Sequence, residues 1–422
     1  MHVPAPVQRV LEAADVQIGG VRPWDIRLHD PELWDRILWR ESLSLGDSYL
    51  CGGWDCDALD ELLFRLLQAG TERSLTDGRD PHLVHQLIQE LRINLQSPGP
   101  SIRTVSPYDD LHPQVHAAML DPLRIHSCAS WEHADSLEQA QKHTLLMICE
   151  KLCLRPGQRL LDIGCGWGGL AADAAHYYGV EVVGVSPSLE QVLYARRQWC
   201  HLPVRFELGD DRQLEQLAEA PFDRIVSVGL REHGGLDSLA RFSACIRRML
   251  RTDGLALLHT IGCHQHALRS DPWIDCQLVP DGQLPSPGQL AAAVTPHFLI
   301  EDWQNFGSDY DLTLMAWYRR FEAAWPQLRS KLTASWDLTR AETLPRFWRY
   351  SLLSCAAFFA PVRDSCGRCC SARLNGPPLI VHRPAVASVR MGPCPSVASA
   401  LPHPRFSPLR LGHRSLQTDG AH

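Results

Sequence analysis

At 422 residues and 45% hydrophobic content, the chain is long enough for two domains, or one large domain with additions, around a filled core. A net charge of −7 argues against holding nucleic acid through global charge, no apolar run is long enough to span a bilayer, and the N-terminus lacks the basic-then-apolar layout of a secretory leader. The fifteen cysteines sit mostly singly within apolar segments, as Cys149, Cys153 and Cys245 do, which predicts buried reduced thiols in a cytoplasmic protein rather than a disulfide framework.

Residues 1–95 read as a smaller, mainly helical N-terminal domain. Helical patterns run over 7–14 and 57–67, the second with an acidic start that favours the helix dipole. Between them lie 43–49 and a turn through Gly52, Gly53 and Trp54. The Ser-Pro-Gly-Pro composition at 97–100 predicts a linker over 96–106. From 107 to 360 the grammar is α/β. A long helix is expected over 136–154, because Leu137, Ala140, Thr144, Ile148 and Leu152 recur on one face. Strands are predicted at 159–163, 181–185, 224–228 and 255–261, separated by helix-length segments. Such strands predict a parallel sheet covered on both faces, with ligands bound beyond the strands' carboxyl ends. That edge carries Gly164 to Gly169, Ser186, Glu232 and Gly262.

From Pro361 onward, eight arginines stand against two aspartates, so the tail carries +6 and the rest of the chain −13. The tail also holds nine of the thirty prolines and almost no apolar periodicity. A segment of this kind cannot bury enough surface to offset its ordering entropy, so 361–422 is expected to lack fixed structure.

The most informative stretch is Leu160-Leu161-Asp162-Ile163-Gly164-Cys165-Gly166-Trp167-Gly168-Gly169. A short apolar strand carries an acidic residue and opens into four glycines, then into a helix. The loop lacks the Lys-Ser/Thr of a phosphate-binding P-loop, and its spacing differs from the G-x-G-x-x-G dinucleotide fingerprint. A bare βα turn would rarely need so many glycines. The D-x-G-x-G-x-G pattern is similar to motif I of S-adenosylmethionine (SAM) methyltransferases, which implies a Rossmann-like sheet with SAM at its edge.

Further blocks make the likeness specific. They include Ser44-Leu45-Gly46-Asp47-Ser48-Tyr49, His126-Ser127-Cys128-Ala129-Ser130-Trp131 and Arg224-Ile225-Val226-Ser227-Val228-Gly229. Others are Leu257-Leu258-His259-Thr260-Ile261-Gly262, Asp271-Pro272-Trp273-Ile274, Glu301 to Gly307 and Asp309 to Trp317. Over residues 7 to 360 the chain resembles the cyclopropane-fatty-acyl-phospholipid synthase family, relatives of the mycolic acid cyclopropane synthases. The resemblance implies transfer of a methylene group from SAM to the cis double bond of a phospholipid acyl chain. An alkene is a weak nucleophile, so attack on the sulfonium methyl leaves a carbocation, and loss of a proton from the added methyl closes the ring. The site must therefore stabilise positive charge and supply a base without a nucleophile that would trap the cation.

By resemblance, a bicarbonate ion is held by Cys128, Glu232, His259, the Ile261 backbone and Tyr310, and Cys355 is a further active-site position. SAM is surrounded by Ser127, Asp162, Gly164, Gly166, Gly168, Ser186, Gln191 and Asp210. Each has an ordinary use as well: Cys128 as a small core residue, His259 as a satisfied core histidine, Tyr310 in packing, Cys355 as a buried helix thiol, Ser186 in a cap or turn. Glu232 differs, because a carboxylate directly after a buried strand at a ligand edge is costly unless it serves a site. No metal is expected: Cys366, Cys369 and Cys370 have no second ligand pair at zinc spacing, and Cys263, His264 and His266 sit in a loop. The implied partners are unsaturated membrane phospholipids and a second copy of the chain, with the protein cytoplasmic and peripheral to the inner membrane surface.

The chain departs from the family pattern at several points. Pro107-Tyr108-Asp109-Asp110-Leu111-His112-Pro113 stands for His-Tyr-Asp-Leu-Gly-Asn-Asp, His126 and Ser130 stand where the family has tyrosines, Arg231 precedes Glu232, and Gly209 replaces a Gln. Beyond Cys355 the family continues with a helix of the type Gln-Leu-Trp-Gln-Val-Leu-Phe-Ser. One set of codons for that string, CAG CTG TGG CAG GTG CTG TTC AGC, read one nucleotide later gives Ser365 to Ala372 as they stand here. This reading predicts a frameshift near residue 360, with the remaining tail a non-homologous translation. These departures keep two other readings open: a SAM methyltransferase on another lipid or small molecule, and a catalytically impaired SAM- or lipid-binding relic.

Overall fold

The alternation of apolar strands and amphipathic helices sets the architecture of the computed structural model, which describes residues 3–74, 113–210, 213–217, 219–229, 235–263, 272–278, 284–332, 338–360 and 384–392. The N-terminal part consists of α1 (Ala5–Ala13), α2 (Leu33–Leu50) and α3 (Leu59–Ser74), with a two-stranded ribbon of β1 (Arg27–Leu28) and β2 (Trp54–Asp55). The α/β part begins with α4 (Pro113–Met119) and α5 (Leu137–Lys151), followed by β3 (Arg159–Ile163), α6 (Gly169–Tyr178), β4 (Glu181–Ser186) and α7 (Leu189–Gln198). It continues with β5 (Val204–Leu208), α8 (Leu214–Leu217), β6 (Phe222–Val228), α9 (Gly235–Met249), β7 (Leu250–Cys263), α10 (Pro272–Gln277) and α11 (Pro287–Val294). Last come β8 (Leu299–Asn305), α12 (Gly307–Leu332), α13 (Leu338–Phe359) and β9 (Pro384–Gly392).

The seven-stranded sheet has the order β5-β4-β3-β6-β7-β9-β8. Strands β3 to β7 pair in parallel, and β3, at the switch point, pairs Asp162 with Gly184 on one side and Val226 on the other. Residues alternate between two apolar faces, as in a sheet buried on both sides. Leu161, Ile163, Val183 and Ile225 join a core with Phe242, Ile246 and Leu290, on α9 and α11. Leu160, Val182, Val226 and Leu257 face Ile148, Ala171 and Val192, on α5, α6 and α7. The long predicted helix is α5, capped where Ser136 Oγ accepts from the Gln139 N–H at 3.3 Å.

The tail departs from its expectation. Pro384–Gly392 is a strand, antiparallel to both β7 and β8, so the sheet is mixed rather than wholly parallel. The short run Ala385-Val386-Ala387-Ser388-Val389 has enough β-branched and small residues to fit a pleated slot between two strands, whatever the composition around it. The rest of the tail, the linker over 96–106, Tyr108 and its loop, Arg231 and Glu232 lie outside the described residues.

A third apolar cluster joins the N-terminal part to the helices that follow β8. It runs from Leu11, Trp34, Trp54 and Leu62 to Trp273, Phe321, Phe347 and Trp348. Arg346 on α13 fastens the two polar edges: its guanidinium lies 4.1 Å from the Tyr49 ring and donates to the Trp54 carbonyl and Asp55 Oδ1, both at 2.8 Å. Helix α2 packs against α10, and two of the blocks singled out in the sequence meet there, because Gly46 lies under Trp273. A methyl group at Gly46 would stand 2.3 Å from that ring, which is only 1% exposed. Gly46→Ala is therefore expected to cost about 1–3 kcal/mol by overpacking, read as a lower midpoint of thermal unfolding. An unchanged midpoint would contradict this contact between α2 and α10.

Candidate functional site

The carboxyl edge of the sheet is hollowed between β3, β6 and the segment that leads into α5. The recess encloses about 550 Å³ of empty space, counting its open mouth. Of the residues predicted around SAM, Ser127, Asp162, Gly164, Gly166 and Gln191 line it. Gly164 and Gly166 have φ of 80° and 54°, and a side chain at Gly166 would meet nothing within 4 Å, so main chain lies bare to the cavity there. Gly168 has a different task. It caps α6 at φ 82°, and a Cβ on it would come within 2.8 Å of the Phe206 ring, so this glycine serves the packing of the turn.

Asp162 is 1% exposed, and its Oδ2 has no hydrogen-bond partner among the described residues. Burial alone pushes its pKa up to about 7. Such a carboxylate costs about 1–3 kcal/mol for each unsatisfied buried group, which makes it a reserved acceptor at a ligand edge. Ser186, fully buried at the end of β4, donates to Gln191 Oε1 at 2.8 Å and accepts from the Ser188 N–H at 3.2 Å. Ser186 therefore orients Gln191, while Ser188 caps α7. Asp210 follows β5, its carbonyl accepting from the Gln213 N–H at 3.1 Å; it is not among the residues that line the recess.

The second predicted group gathers next to this recess. Ser127 lines it and Cys128 turns away from it into the core, with its thiol facing the Phe306 carbonyl at 3.9 Å. Val228 lines it and pairs across the sheet with His259. The His259 ring meets Phe306 edge-on at 5.0 Å. Tyr310, four residues on, packs its ring at a tilt against that of Phe359 with centroids 4.6 Å apart, and Phe359 lies four residues from Cys355 on α13. Ile261, Tyr310 and Cys355 pack as half-buried members of the same apolar cluster as Cys128 and Phe306. The structure thus brings Cys128 and His259 to one residue, Phe306, and places Ile261, Tyr310 and Cys355 in the apolar cluster that contains it; Glu232 falls outside the described residues.

Desolvation sets the protonation states. Burial lowers the His259 pKa to about 4, so the ring is neutral near pH 7, and its buried Nδ1 has no partner among the described residues. Burial, with a smaller contribution from Asp309, holds the Cys128 thiol well above its usual range. Cys128 and His259 are therefore a thiol and an uncharged imidazole near pH 7.

What holds this geometry was not read from the sequence. Residues 127–131 are strapped between α5 and α12. Gln141 Nε2 donates to the Ser127 carbonyl at 3.0 Å, and Thr144 Oγ1 accepts from the Ser130 N–H at 2.8 Å. On the other side Thr313 Oγ1 accepts from the Ala129 N–H at 3.0 Å and from Trp131 Nε1 at 2.9 Å, and Asp309 Oδ2 accepts from the Trp131 N–H at 2.9 Å. The Asp-x-x-x-Thr spacing at 309 and 313 on one helix face was the available signal. His126 also lines the recess: its ring lies 5.3 Å from that of His116 and 5.0 Å from that of Trp317. It is deep among protein atoms, which lowers its pKa to about 4, yet its side chain stays accessible through the cavity.

Comparison with known proteins bears on the same residues. The family model for mycolic acid cyclopropane synthetase matches residues 96–365, which takes in both groups and the glycine turn. The cyclopropane-fatty-acyl-phospholipid synthase of Escherichia coli is 44% identical over 356 residues, covering 83% of this chain and 88% of that protein. Among solved structures, the cyclopropane synthase MmaA2 from Mycobacterium tuberculosis superposes with a TM-score of 0.57 at 27% identity, covering 70% of this chain and 99% of that one. The mycolic acid cyclopropane synthase CmaA1, solved with SAH and CTAB, superposes with a TM-score of 0.55 at 26% identity, covering 69% of this chain and 98% of that one. With the glycine turn, the strapped Cys128 segment and the His259–Phe306 contact in one continuous match, the chain belongs to the mycolic acid cyclopropane synthetase family and carries a SAM-methyltransferase fold.

Proposed function

We propose that this protein transfers a methylene group from SAM to the cis double bond of an unsaturated phospholipid acyl chain, forming a cyclopropane fatty acid. The observation that carries the reading is the junction of two environments. A recess with bare glycine backbone and a reserved carboxylate abuts a desolvated group of neutral donors at Ser127–Cys128 and Val228–His259. When bound, SAM supplies an electrophilic methyl group on a sulfonium. The chain's own residues do the rest. Asp162 offers an acceptor to the ammonium of an amino-acid moiety, Gln191 is oriented by Ser186, and Gly164 and Gly166 let backbone approach closely.

The neighbouring group suits a carbocation by what it withholds. Desolvation keeps Cys128 a thiol and His259 an uncharged imidazole, so neither competes for the cation as an anionic nucleophile or repels it by positive charge. In this reading Cys128, Glu232, His259, the Ile261 main chain and Tyr310 would hold a bicarbonate ion, which supplies basicity toward the proton lost on ring closure. No described helix is long and apolar enough to cross a membrane. We place the protein at the inner membrane surface as a peripheral enzyme, with the N-terminal part engaging lipid.

Incubation with labelled SAM and vesicles of cis-unsaturated phospholipid, followed by fatty-acid analysis, is expected to give cyclopropane product. Methylation elsewhere would favour a different lipid or small-molecule substrate, and binding without turnover an inactive relic. Glu232→Gln is expected to lower turnover by about tenfold or more at unchanged SAH affinity, a range usual for loss of a proton-handling group; full activity would remove the anion-site mechanism.

The raised pKa of Asp162 gives a pH prediction. An ammonium needs the ionised carboxylate, and below about pH 7 that carboxylate is protonated in the free protein. SAH affinity should therefore fall by about tenfold between pH 8 and pH 6, as expected for one proton linked to binding. Calorimetric titration of Asp162→Asn should show weaker binding without this slope; the same slope in the variant would assign it to another group.

A further inference from the structure

Arg124 is a charged residue in the recess that neither motif nor family block singles out. Its backbone is left-handed at φ 56°, a conformation that side chains of this kind rarely adopt and that persists only where the surroundings impose it. Here they do. Asp121 Oδ1 accepts from the Ile125 N–H at 2.7 Å, Oδ2 accepts from the Leu123 N–H at 3.0 Å, and its carbonyl accepts from the Arg124 N–H at 2.9 Å. The same turn is pressed on the start of α6, where a Cβ at Gly169 would come within 2.3 Å of the Leu123 carbonyl oxygen. Arg124 is thus fixed beside the glycine turn.

Its guanidinium lies over two aromatic rings, 3.9 Å from the centroid of Tyr194 and 4.8 Å from that of Trp167. These rings meet edge-on at 5.2 Å and hold the planar group in place. Its Nη1 is buried without a hydrogen-bond partner among the described residues, and no described carboxylate forms an ion pair with it; Glu190 acts on it only at longer range. The recess therefore holds a half-buried guanidinium with one unused buried donor and, at Asp162, a buried carboxylate oxygen without a partner among the described residues. Two opposite charges left unsatisfied in one cavity match a zwitterion. Stacking alone would account for the rings but not for the buried, unused donor.

We infer that Arg124 is a cofactor-binding residue that receives the carboxylate of the amino-acid moiety of SAM while Asp162 receives its ammonium. This rests on the SAM reading of the recess. The planar fork suits a carboxylate, and a charge-assisted bond in a partly desolvated site separates ligands with and without that group by about 10- to 100-fold.

Calorimetry with S-adenosylhomocysteine and its decarboxylated counterpart tests the assignment on the full chain. The unsubstituted protein should prefer the carboxylated ligand by that factor. Arg124→Met should reduce the preference to about threefold or less with little change toward the decarboxylated ligand, and Arg124→Lys should keep part of it. An undiminished preference in Arg124→Met overturns the proposal. So does an undiminished preference combined with weakened retention on anionic phospholipid vesicles, which would assign the cation to a lipid headgroup. Should Arg124→Met fail to fold, equal affinity of the unsubstituted protein for the two ligands overturns it as well. Failure of that protein to bind either ligand would bring down the SAM reading itself, an outcome distinct from the others.

Discussion

The rest of the site depends on a carboxylate held dry at the end of β3. Asp162 sits at the centre of the sheet, between Gly184 and Val226, where every neighbouring strand residue is apolar or lacks a side chain. Such a position would ordinarily select an aliphatic residue, because ionising a buried acid costs several kcal/mol unless something pairs with it. The glycine turn that follows cannot supply a cation, but it leaves the carboxylate facing a cavity instead of a packed core. Gly184 opposite is part of the same constraint: a Cβ there would meet Phe206 at 2.8 Å and the Cys165 sulfur at 3.0 Å. The strands beside β3 are therefore shaped to let β3 end in a cavity.

The second organising element is the junction of β8 and α12. Phe306 closes the strand and Gly307 opens the helix. From this one corner the Phe306 ring meets His259, its carbonyl meets Cys128, Asp309 and Thr313 strap Trp131 and Ala129, and Tyr310 reaches the ring of Phe359. Residues far apart in sequence meet because a helix start presents successive side chains around a full turn within a few ångströms of rise. A change at this corner would disturb the Cys128–His259 group and the recess together, since Ser127 and Cys128 are adjacent.

The sheet was legible because its inner strands are continuous apolar runs and its helices keep a three-to-four residue repeat; α5 falls within the predicted 136–154 down to its Ser136 cap. Strands β5 and β8 were not read because polar residues interrupt them at the sheet's two edges, where Arg205 and Glu301 are exposed without penalty. Strand β9 was obscured by proline and arginine on either side of a short β-forming run. At the site, Cys128, His259 and Tyr310 could be named from blocks, but their meeting point, Phe306, carries no chemical signature. The separate tasks of the glycines could not be read either: Gly166 faces the cavity and Gly168 a phenylalanine, a distinction only the packing reveals.

One physical cause, removal from water, accounts for the chemistry of the whole site. The same burial that raises Asp162 to about 7 lowers His259 to about 4 and keeps Cys128 protonated. These three groups are pushed toward their neutral forms, so the fixed charge of the site is the Arg124 guanidinium. A ligand whose carboxylate pairs with Arg124 would bring its ammonium toward Asp162 and its sulfonium toward the neighbouring group. The ammonium's field would draw Asp162 into its ionised form, so the anion would appear where the cation binds. The neighbouring group, with no ammonium against it, would stay neutral. A short-lived carbocation next to it would be surrounded by weakly polar aromatic faces, Phe306, Tyr310 and Phe359, whose ring electrons stabilise positive charge without forming a bond to it. Desolvation thus separates a polar, charge-pairing half from an aromatic, uncharged half across one residue step, Ser127 to Cys128.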